Sequence, residues 1–391
     1  MNRDDTKRRV ADAFAGIEPT LRETSRWLHA NPEIAFEEHA SSARLAKILA
    51  GAGFEVERPA YGLETAFAAR IGSGGPEVIV CAEYDALPEV GHACGHNLIA
   101  AAAVGAGVSL APFVDELGIR LTVLGTPAEE KYGGKVDLLD AGAFDGAAAA
   151  MMVHPSSKDV VDLPFIAVQH LDLRYRGRAA HSAGYPHLGV NALDAFVQAY
   201  LSVSMLRQHI LETDRIHGII THGGEAPNVV PDLTESSWYV RSATRERLDE
   251  LVPKVLSCFE AGATATGCTM EVTQVGHPYT EMRHDPVMAA LFAENAAALG
   301  RRMPWQAERS DHETGSTDMA NVSLAVPSIH PMLDIGASPA VNHQREFADH
   351  TVTEDGDRAI RDGALGMAWT IVDLALDDRW DELVIDDQGR P

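Results

Sequence analysis

The sequence predicts an α/β fold, a mostly parallel sheet with helices on both faces, interrupted by a smaller α+β unit. Three observations predict it. The apolar runs EVIVCA, IRLTVLG and GAAAAMMV are each followed at once by a polar cluster, and they alternate with helical segments. From IAVQHLDLRYRG onward the pattern changes to apolar/polar alternation, the signature of a strand with one wet face. A chain of 391 residues, 46% hydrophobic and 23% charged, has the composition of a globular protein and the length for two domains.

In order, residues 6–53 read as two helices divided by the turn at HANPE. Leu45, Ile48 and Leu49 give the second its apolar stripe and GAG (51–53) its stop, while Pro19 threatens the middle of the first. EVIVCAEYDALP (77–88) is a buried strand running into Glu83 and Asp85, and HACGHN (92–97) opens the alanine-rich helix 98–111. IRLTVLGTPAEE (119–130) is a second strand ending in paired carboxylates, and GAAAAMMVHP (146–155) a third ending at His154. The middle section reads strand 166–177, helix 189–207, strands 216–222 and 232–240, helix 245–264 and strand 268–275. That β-α-β-β-α-β order is ferredoxin-like. The chain therefore divides into residues 1–164 and 278–391, two parts of one α/β domain, with 165–277 inserted between them.

Acidic residues outnumber basic ones 57 to 32, for a formal charge of −25. Such a balance repels phosphate backbones and anionic lipid, so neither nucleic acid nor membrane is expected as a partner. No apolar run is expected to be long enough to cross a bilayer. The first sixteen residues carry charge where a signal peptide needs an apolar stretch. Four cysteines without framework spacing suit a reducing cytoplasm.

In doubly wound sheets ligands bind beyond the carboxyl ends of the strands. Here that edge collects Asp85, Cys94, His96, Glu129, Glu130 and His154, the thiolate, imidazole and carboxylate donors that borderline divalent metals prefer. Singly, each has a plainer reading: a hydrogen-bonded loop histidine, an inert small cysteine, a solvated acidic turn at AEE. Together they favour a metal site, because that much buried polarity without a cation is costly. Glu129 and Glu130 are adjacent in a loop, so one can ligate while the other accepts a proton from water. The competing chemistry is a nucleophilic Cys94 near a helix start, which the nearby carboxylates disfavour by raising the thiol pKa.

The chain resembles the dinuclear metal-dependent amidohydrolases and metallopeptidases related to aminoacylases and glutamate carboxypeptidases. Within them it is similar to the branch of auxin-conjugate hydrolases and aminobenzoyl-glutamate hydrolase or dipeptidase-like proteins. The segments that carry the resemblance are RWLHANPEIAFEE, AEYDALPEVGHACGHN, GTPAEE, MMVHP, GRAAHSAGYPHLGVNALDA, HGGEAPNVVPD, GSTDMANVS and NHQREFA, in that order. The resemblance implies a metallopeptidase catalytic domain with an inserted lid and dimerisation domain. It places Cys94, His96, Glu130, His154 and His343 as ligands of two divalent ions, usually manganese or zinc, with cobalt and nickel as further candidates. It makes Glu129 the general base and Asp85 the acid that orients a ligating histidine.

Glu83 stands where many relatives have a further histidine ligand and is left out of the set. Asn97 replaces an aspartate common in the auxin branch; it is either a helix cap or a mark of the dipeptidase-like members. From the inserted unit, His181 is implied as an oxyanion donor reaching the partner subunit's site, Asn228 as a substrate contact and Arg241 as the holder of a substrate carboxylate. The GST turn (315–317) is either a further source of backbone donors or a plain loop. The function implied is hydrolysis of the amide bond of an N-acyl amino acid, an aminobenzoyl-glutamate-like conjugate or a dipeptide by a homodimer. The alternative is one subunit of a heteromeric amidohydrolase, or a ligand-binding partner with little activity alone.

Overall fold

The structure, a computed structural model, describes residues 2–309 and 313–384. The helices and strands are α1 (Arg3–Ala30), α2 (His39–Gly51), β1 (Glu55–Glu57), β2 (Phe67–Ile71), β3 (Glu77–Ala82), α3 (His96–Leu110), α4 (Val114–Leu117), β4 (Arg120–Gly125), α5 (Gly134–Asp140), β5 (Ala147–Met151) and β6 (His154–Ser156). They continue with β7 (Ala167–Arg176), α6 (Ala192–Leu206), β8 (Arg215–His222), β9 (Leu233–Ser242), α7 (Arg245–Thr266), β10 (Thr269–Tyr279), α8 (Pro286–Ala298), α9 (Met319–Ser323), β11 (Ser328–Ile329), β12 (Met332–Asp334), α10 (Arg345–His350) and α11 (Glu354–Asp377). Two compact units result: residues 1–164 with 282–391, and residues 165–281. β10 continues to Tyr279, past residue 277, where the sequence pattern suggested a boundary.

The first unit is built on a six-stranded sheet in the order β1-β2-β4-β3-β5-β11. β4, β3, β5 and β11 run parallel, while β1 and β2 are antiparallel additions at one edge. Val78 to Ala82 are buried without a break, as in a strand covered on both faces. The third predicted strand is split: β5 stops at Met151, and His154 starts β6, which pairs with β12 in a separate ladder.

α1 runs unbroken through Pro19, because Phe14 and Leu21 on either side are both buried in the core. α3 is apolar all round, the mark of a helix enclosed on every side rather than lying on a surface. Its small residues allow close approach: a Cβ at Gly105 would lie 2.9 Å from Leu21 and 3.0 Å from Ala364. The expectation that no apolar stretch reaches membrane-spanning length is corrected here. His96–Leu117, 22 residues whose most apolar window has mean hydropathy 1.8, qualifies by length and composition, yet 83% of that window is buried inside the protein.

The second unit is a four-stranded antiparallel sheet, β10-β7-β9-β8. Residues alternate strictly along β9: Thr234, Ser236, Trp238 and Val240 are buried while their neighbours are half-exposed. Trp238 packs against Phe196 of α6 and Phe259 of α7, so both helices cover that face.

Candidate metal centre and active site

Parallel pairing of β3 with β4 and β5 brings their carboxyl ends to one edge. Thr126 N–H donates to the Ala82 carbonyl at 2.8 Å, so both chains leave the sheet together, carrying Glu83 and Asp85 beside Glu129 and Glu130. Ala128 lies at φ 63°, a left-handed turn that folds the loop back, and Tyr132 and Gly133 N–H both donate to its carbonyl.

Between the two donors of HACGHN sits Gly95, at φ +87° and immediately before α3. A Cβ there would stand 2.8 Å from Pro155, so only glycine lets the segment press against the strand that begins with His154. Cys94 Sγ is then 3.4 Å from His154 Nε2. His154 Nδ1 donates to the Pro155 carbonyl at 2.8 Å, which leaves the Nε2 lone pair facing the cysteine. The distant His343 is fixed by backbone: its N–H donates to the Ala93 carbonyl at 2.9 Å, while Asn342 donates to the carbonyls of Cys94 and Pro155 at 3.2 and 3.1 Å. Gly95→Ala is expected to weaken divalent-metal affinity about tenfold or more by moving Pro155 and with it His154. A chelator-competition titration reads this, and an unchanged affinity refutes it.

Cys94, His96 and His154 present ligand atoms within 4.8 Å of one another, as do Cys94, Glu130 and His343. These two groups share Cys94 and together contain the five residues that the sequence motifs suggested. His96 Nε2 faces Glu130 at 3.7 Å and Glu129 at 3.9 Å, and its Nδ1 lies 3.0 Å from Asp85. Asp85 also accepts the Glu130 N–H at 3.0 Å, so one carboxylate orients both a histidine and the acidic loop.

The electrostatics describe a site short of positive charge. Burial and the adjacent carboxylate of Glu130 push the Cys94 thiol well up. Burial pushes Glu129 well up, with Glu83 and Glu130 adding to it, and burial raises Glu130 despite His96. Burial lowers His154 to about 4. Burial opposes charge on His96 too, but the Asp85 carboxylate outweighs it and holds that imidazole high. Glu83 Oε2, His96 Nε2 and Glu130 Oε1 are buried without a hydrogen-bond partner. Thiolate, imidazole and carboxylate donors converging on unpaired buried atoms fit divalent cations, which would engage His96 Nε2 and Glu130 Oε1 and bring the raised thiol, carboxyl and His96 values down.

The peptidase family M20/M25/M40 matches residues 79–362. The chain belongs to this family. It is similar to the Xaa-Arg dipeptidase of Mus musculus, at 38% identity over 387 residues that cover 94% of this chain and 88% of that protein. One of the subunits of the p-aminobenzoyl-glutamate hydrolase of Escherichia coli is 34% identical over 266 residues, 63% of this chain and 55% of that one. Two solved structures share the fold. The aminobenzoyl-glutamate utilization protein from Klebsiella pneumoniae has a TM-score of 0.74 at 18% identity, covering 95% of this chain and 99% of that one. A dinuclear metal-binding peptidase of the M20 family from Bacillus subtilis has a TM-score of 0.69 at 21% identity, covering 93% and 99%. This M20-family chain is a hydrolase of amide and peptide bonds, and the chemistry of its donor cluster fits divalent metal ions.

In the second unit His181 is exposed, and its Nδ1 accepts the N–H groups of Ala183 and Gly184 at 3.2 and 3.0 Å. The proton therefore sits on Nε2, which points away as a donor. Asn228 is beside it, its carbonyl accepting Ser182 N–H at 3.0 Å. Arg241 lies inside β9 and belongs to a different cluster: its guanidinium is 5.6 Å from the Tyr239 ring, which stacks on His170 at 3.8 Å. Burial, with Arg241 and His217, lowers His170 to about 4, so this face is cationic and desolvated.

His92 is buried and joins none of the ligand groups; burial lowers it to about 3. Asn97 is not a cap, since α3 starts at His96; its Nδ2 donates to Ser25 Oγ at 2.9 Å and ties α3 to α1. Glu38, Lys135 and Asp318, buried charges close to the site, escaped the sequence reading. Glu38 closed RWLHANPEIAFEE and Asp318 lay inside GSTDMANVS, but Lys135 does not stand out locally from a surface residue.

Glu38 accepts the Ala128 N–H at 2.9 Å and so grips the loop one residue before Glu129. Burial, with Asp85 nearby, raises its carboxyl to about 7 from 4.5. The folded state thus holds this proton more tightly than the unfolded chain. Stability linked to it is complete below pH 4.5 and lost as pH rises toward 7. The loss is on the order of 3 kcal/mol. Glu38→Gln keeps an acceptor for Ala128 and removes the titration, so its melting temperature is expected to fall less between pH 5 and pH 7.5 than that of the parent. Identical pH profiles of the two proteins contradict this.

Proposed function

We propose that this chain hydrolyses dipeptides with a cationic C-terminal residue, using Glu129 as general base beside two divalent ions. Cys94, His96, Glu130, His154 and His343 would hold the ions, manganese or zinc in the first instance, with cobalt or nickel able to substitute. The observation that carries the reading is the placement of Glu129. It is buried beside the cluster and 3.9 Å from His96 Nε2, yet belongs to neither of the two Cys94 groups. A further donor group joins it to His96 and Glu130, which sets its carboxylate at the edge of the cluster, where a proton acceptor is needed.

Bound divalent ions supply Lewis-acid polarisation of a carbonyl and acidification of water. Glu129 takes the proton from the attacking water and later delivers it to the leaving amine nitrogen. Asp85 keeps His96 Nδ1 engaged, so that Nε2 faces the cluster. His181, with its proton on Nε2, donates to the carbonyl oxygen as negative charge develops there. Asn228, adjoining His181, contacts the substrate, and Arg241 on its desolvated face suits the substrate carboxylate.

The reading includes a homodimer through the second unit. β8 is an edge strand exposing Ile219 and Ile220, and α6 exposes Val197, Tyr200, Leu201 and Met205, apolar surface of the kind that a partner covers. The reading also includes a cytoplasmic location, which the absence of disulfide-framework spacing among the four cysteines supports.

The substrate class rests on the identity to the mouse dipeptidase over most of both chains. Mass-spectrometric screening of the metal-loaded protein, purified alone, against dipeptides, aminobenzoyl-glutamate and N-acyl amino acids tests it. Turnover of Xaa-Arg and Xaa-Lys dipeptides ahead of the other classes is expected. Preference for acyl or aminobenzoyl conjugates overturns the substrate class. No turnover at full metal occupancy overturns an autonomous enzyme and favours the heteromeric alternative.

A further inference from the structure

Behind Glu129 lies a second charged cluster. Glu83, Glu129 and Asp318, all buried, present oxygens within 4.8 Å of one another. Three carboxylates that close repel strongly in a low-dielectric interior. Lys135, fully buried, lies among them: its Nζ donates to Glu83 Oε1 and, at 2.6 Å, to Asp318 Oδ1. Asp318 grips the same residue twice, its Oδ2 accepting the Lys135 backbone N–H at 2.9 Å.

The ammonium is also tied to the loop that carries the base. Lys135 is the second residue of α5, and Gly134 before it is packed so tightly that a Cβ would lie 2.0 Å from the Pro127 carbonyl oxygen. From the other side, Lys135 holds one oxygen of Glu83 and leaves the second, Oε2, directed at His96 Nε2, 3.5 Å away. Strand end, α5 and the start of α9 therefore converge on one side-chain nitrogen, while the base-bearing loop packs against the backbone beside it.

We propose that Lys135 is a positioning residue, a built-in cation that anchors Glu83 and Asp318 and so keeps the Glu129 carboxylate in place for proton transfer. It follows that Glu83 serves as an anchor and not as a metal ligand. This inference rests on Glu129 being the base. Without the ammonium, Glu83 and Asp318 would lose the tether that fixes their side chains around Glu129, its carboxylate would lose alignment, and the chemical step would suffer while substrate binding would not.

The test uses the full chain with metals bound. Lys135→Met is expected to lower kcat at least 10-fold with KM within about twofold of the parent and with metal content by mass spectrometry unchanged. Because Lys135→Met leaves buried anions unpaired and can fail to fold, Lys135→Met/Glu83→Gln/Asp318→Asn removes all three charges with similar shapes. This triple variant is expected to melt near the parent and to keep its metals, yet to retain the low kcat. Recovery of parental kcat in the triple variant overturns the proposal, for then Lys135 only relieves buried charge. Glu83→Gln alone is expected to keep the parental metal content, and loss of one ion makes Glu83 a ligand and overturns the anchor role. Glu129→Gln separates the two readings: if it stays active, the base assignment itself fails, whatever the Lys135 variants do.

Discussion

Glu129→Gln is expected to bind metal as the parent does and to lose about 10³-fold in kcat, close to 4 kcal/mol of barrier. The substitution keeps the shape and one acceptor oxygen but removes the proton-accepting charge. Glu129 is absent from the two Cys94-sharing donor groups but joins His96 and Glu130 in a third, where the amide keeps one oxygen, so metal content is expected not to change. Burial, with Glu83 and Glu130, pushes the Glu129 carboxyl up, and bound cations would bring it back toward the range of a general base. Metal analysis and steady-state kinetics on the same preparation check both halves of the expectation. Turnover within tenfold of the parent removes Glu129 from the mechanism; loss of an ion makes it a ligand instead.

His181→Ala is expected to lower kcat by about two to three orders of magnitude, the usual consequence of removing an oxyanion donor. The change should leave stability nearly untouched, because the side chain is exposed and hydrogen-bonds locally, to the neighbouring Ala183 and Gly184. His181→Asn, which offers a donor in another geometry, should recover only part of the loss. If the donor serves the partner subunit, mixing His181→Ala with Glu129→Gln chains creates dimers in which one site has both groups intact. Activity should then rise to roughly a quarter of the parental value after random exchange, provided that subunits pair statistically. Size-exclusion chromatography with light scattering establishes whether dimers exist, and mass spectrometry of tagged chains establishes exchange. Exchanged dimers without recovered activity contradict the arrangement in trans.

Much of the fold could be read locally. Apolar runs of five or six residues followed by polar clusters marked β3, β4 and β5, and the change to alternation marked the start of the second unit at β7, because side-chain periodicity follows backbone geometry. The gathering of Asp85, Cys94, His96, Glu129 and Glu130 followed from one rule, that parallel strands present their carboxyl ends at one edge. The residues that closed the site were less legible. His343 was one histidine among seventeen, singled out by resemblance, and only the backbone contact to Ala93 shows how it reaches Cys94. The break between β5 and β6, which aims His154, comes from pairing with β12, far along the chain.

By itself, then, the sequence determined the α/β class, the order of the elements and the chemical kinds of donor at the sheet edge. These depend on the spacing of residues near one another. Tertiary structure alone decided which charges are buried and against what. Lys135 meets Glu83 and Asp318 at separations of 52 and 183 residues, and Glu38 meets Ala128 at 90. It also decided that the most apolar helix is the centre of a folded core, because only the chain packed around α3 removes that surface from water.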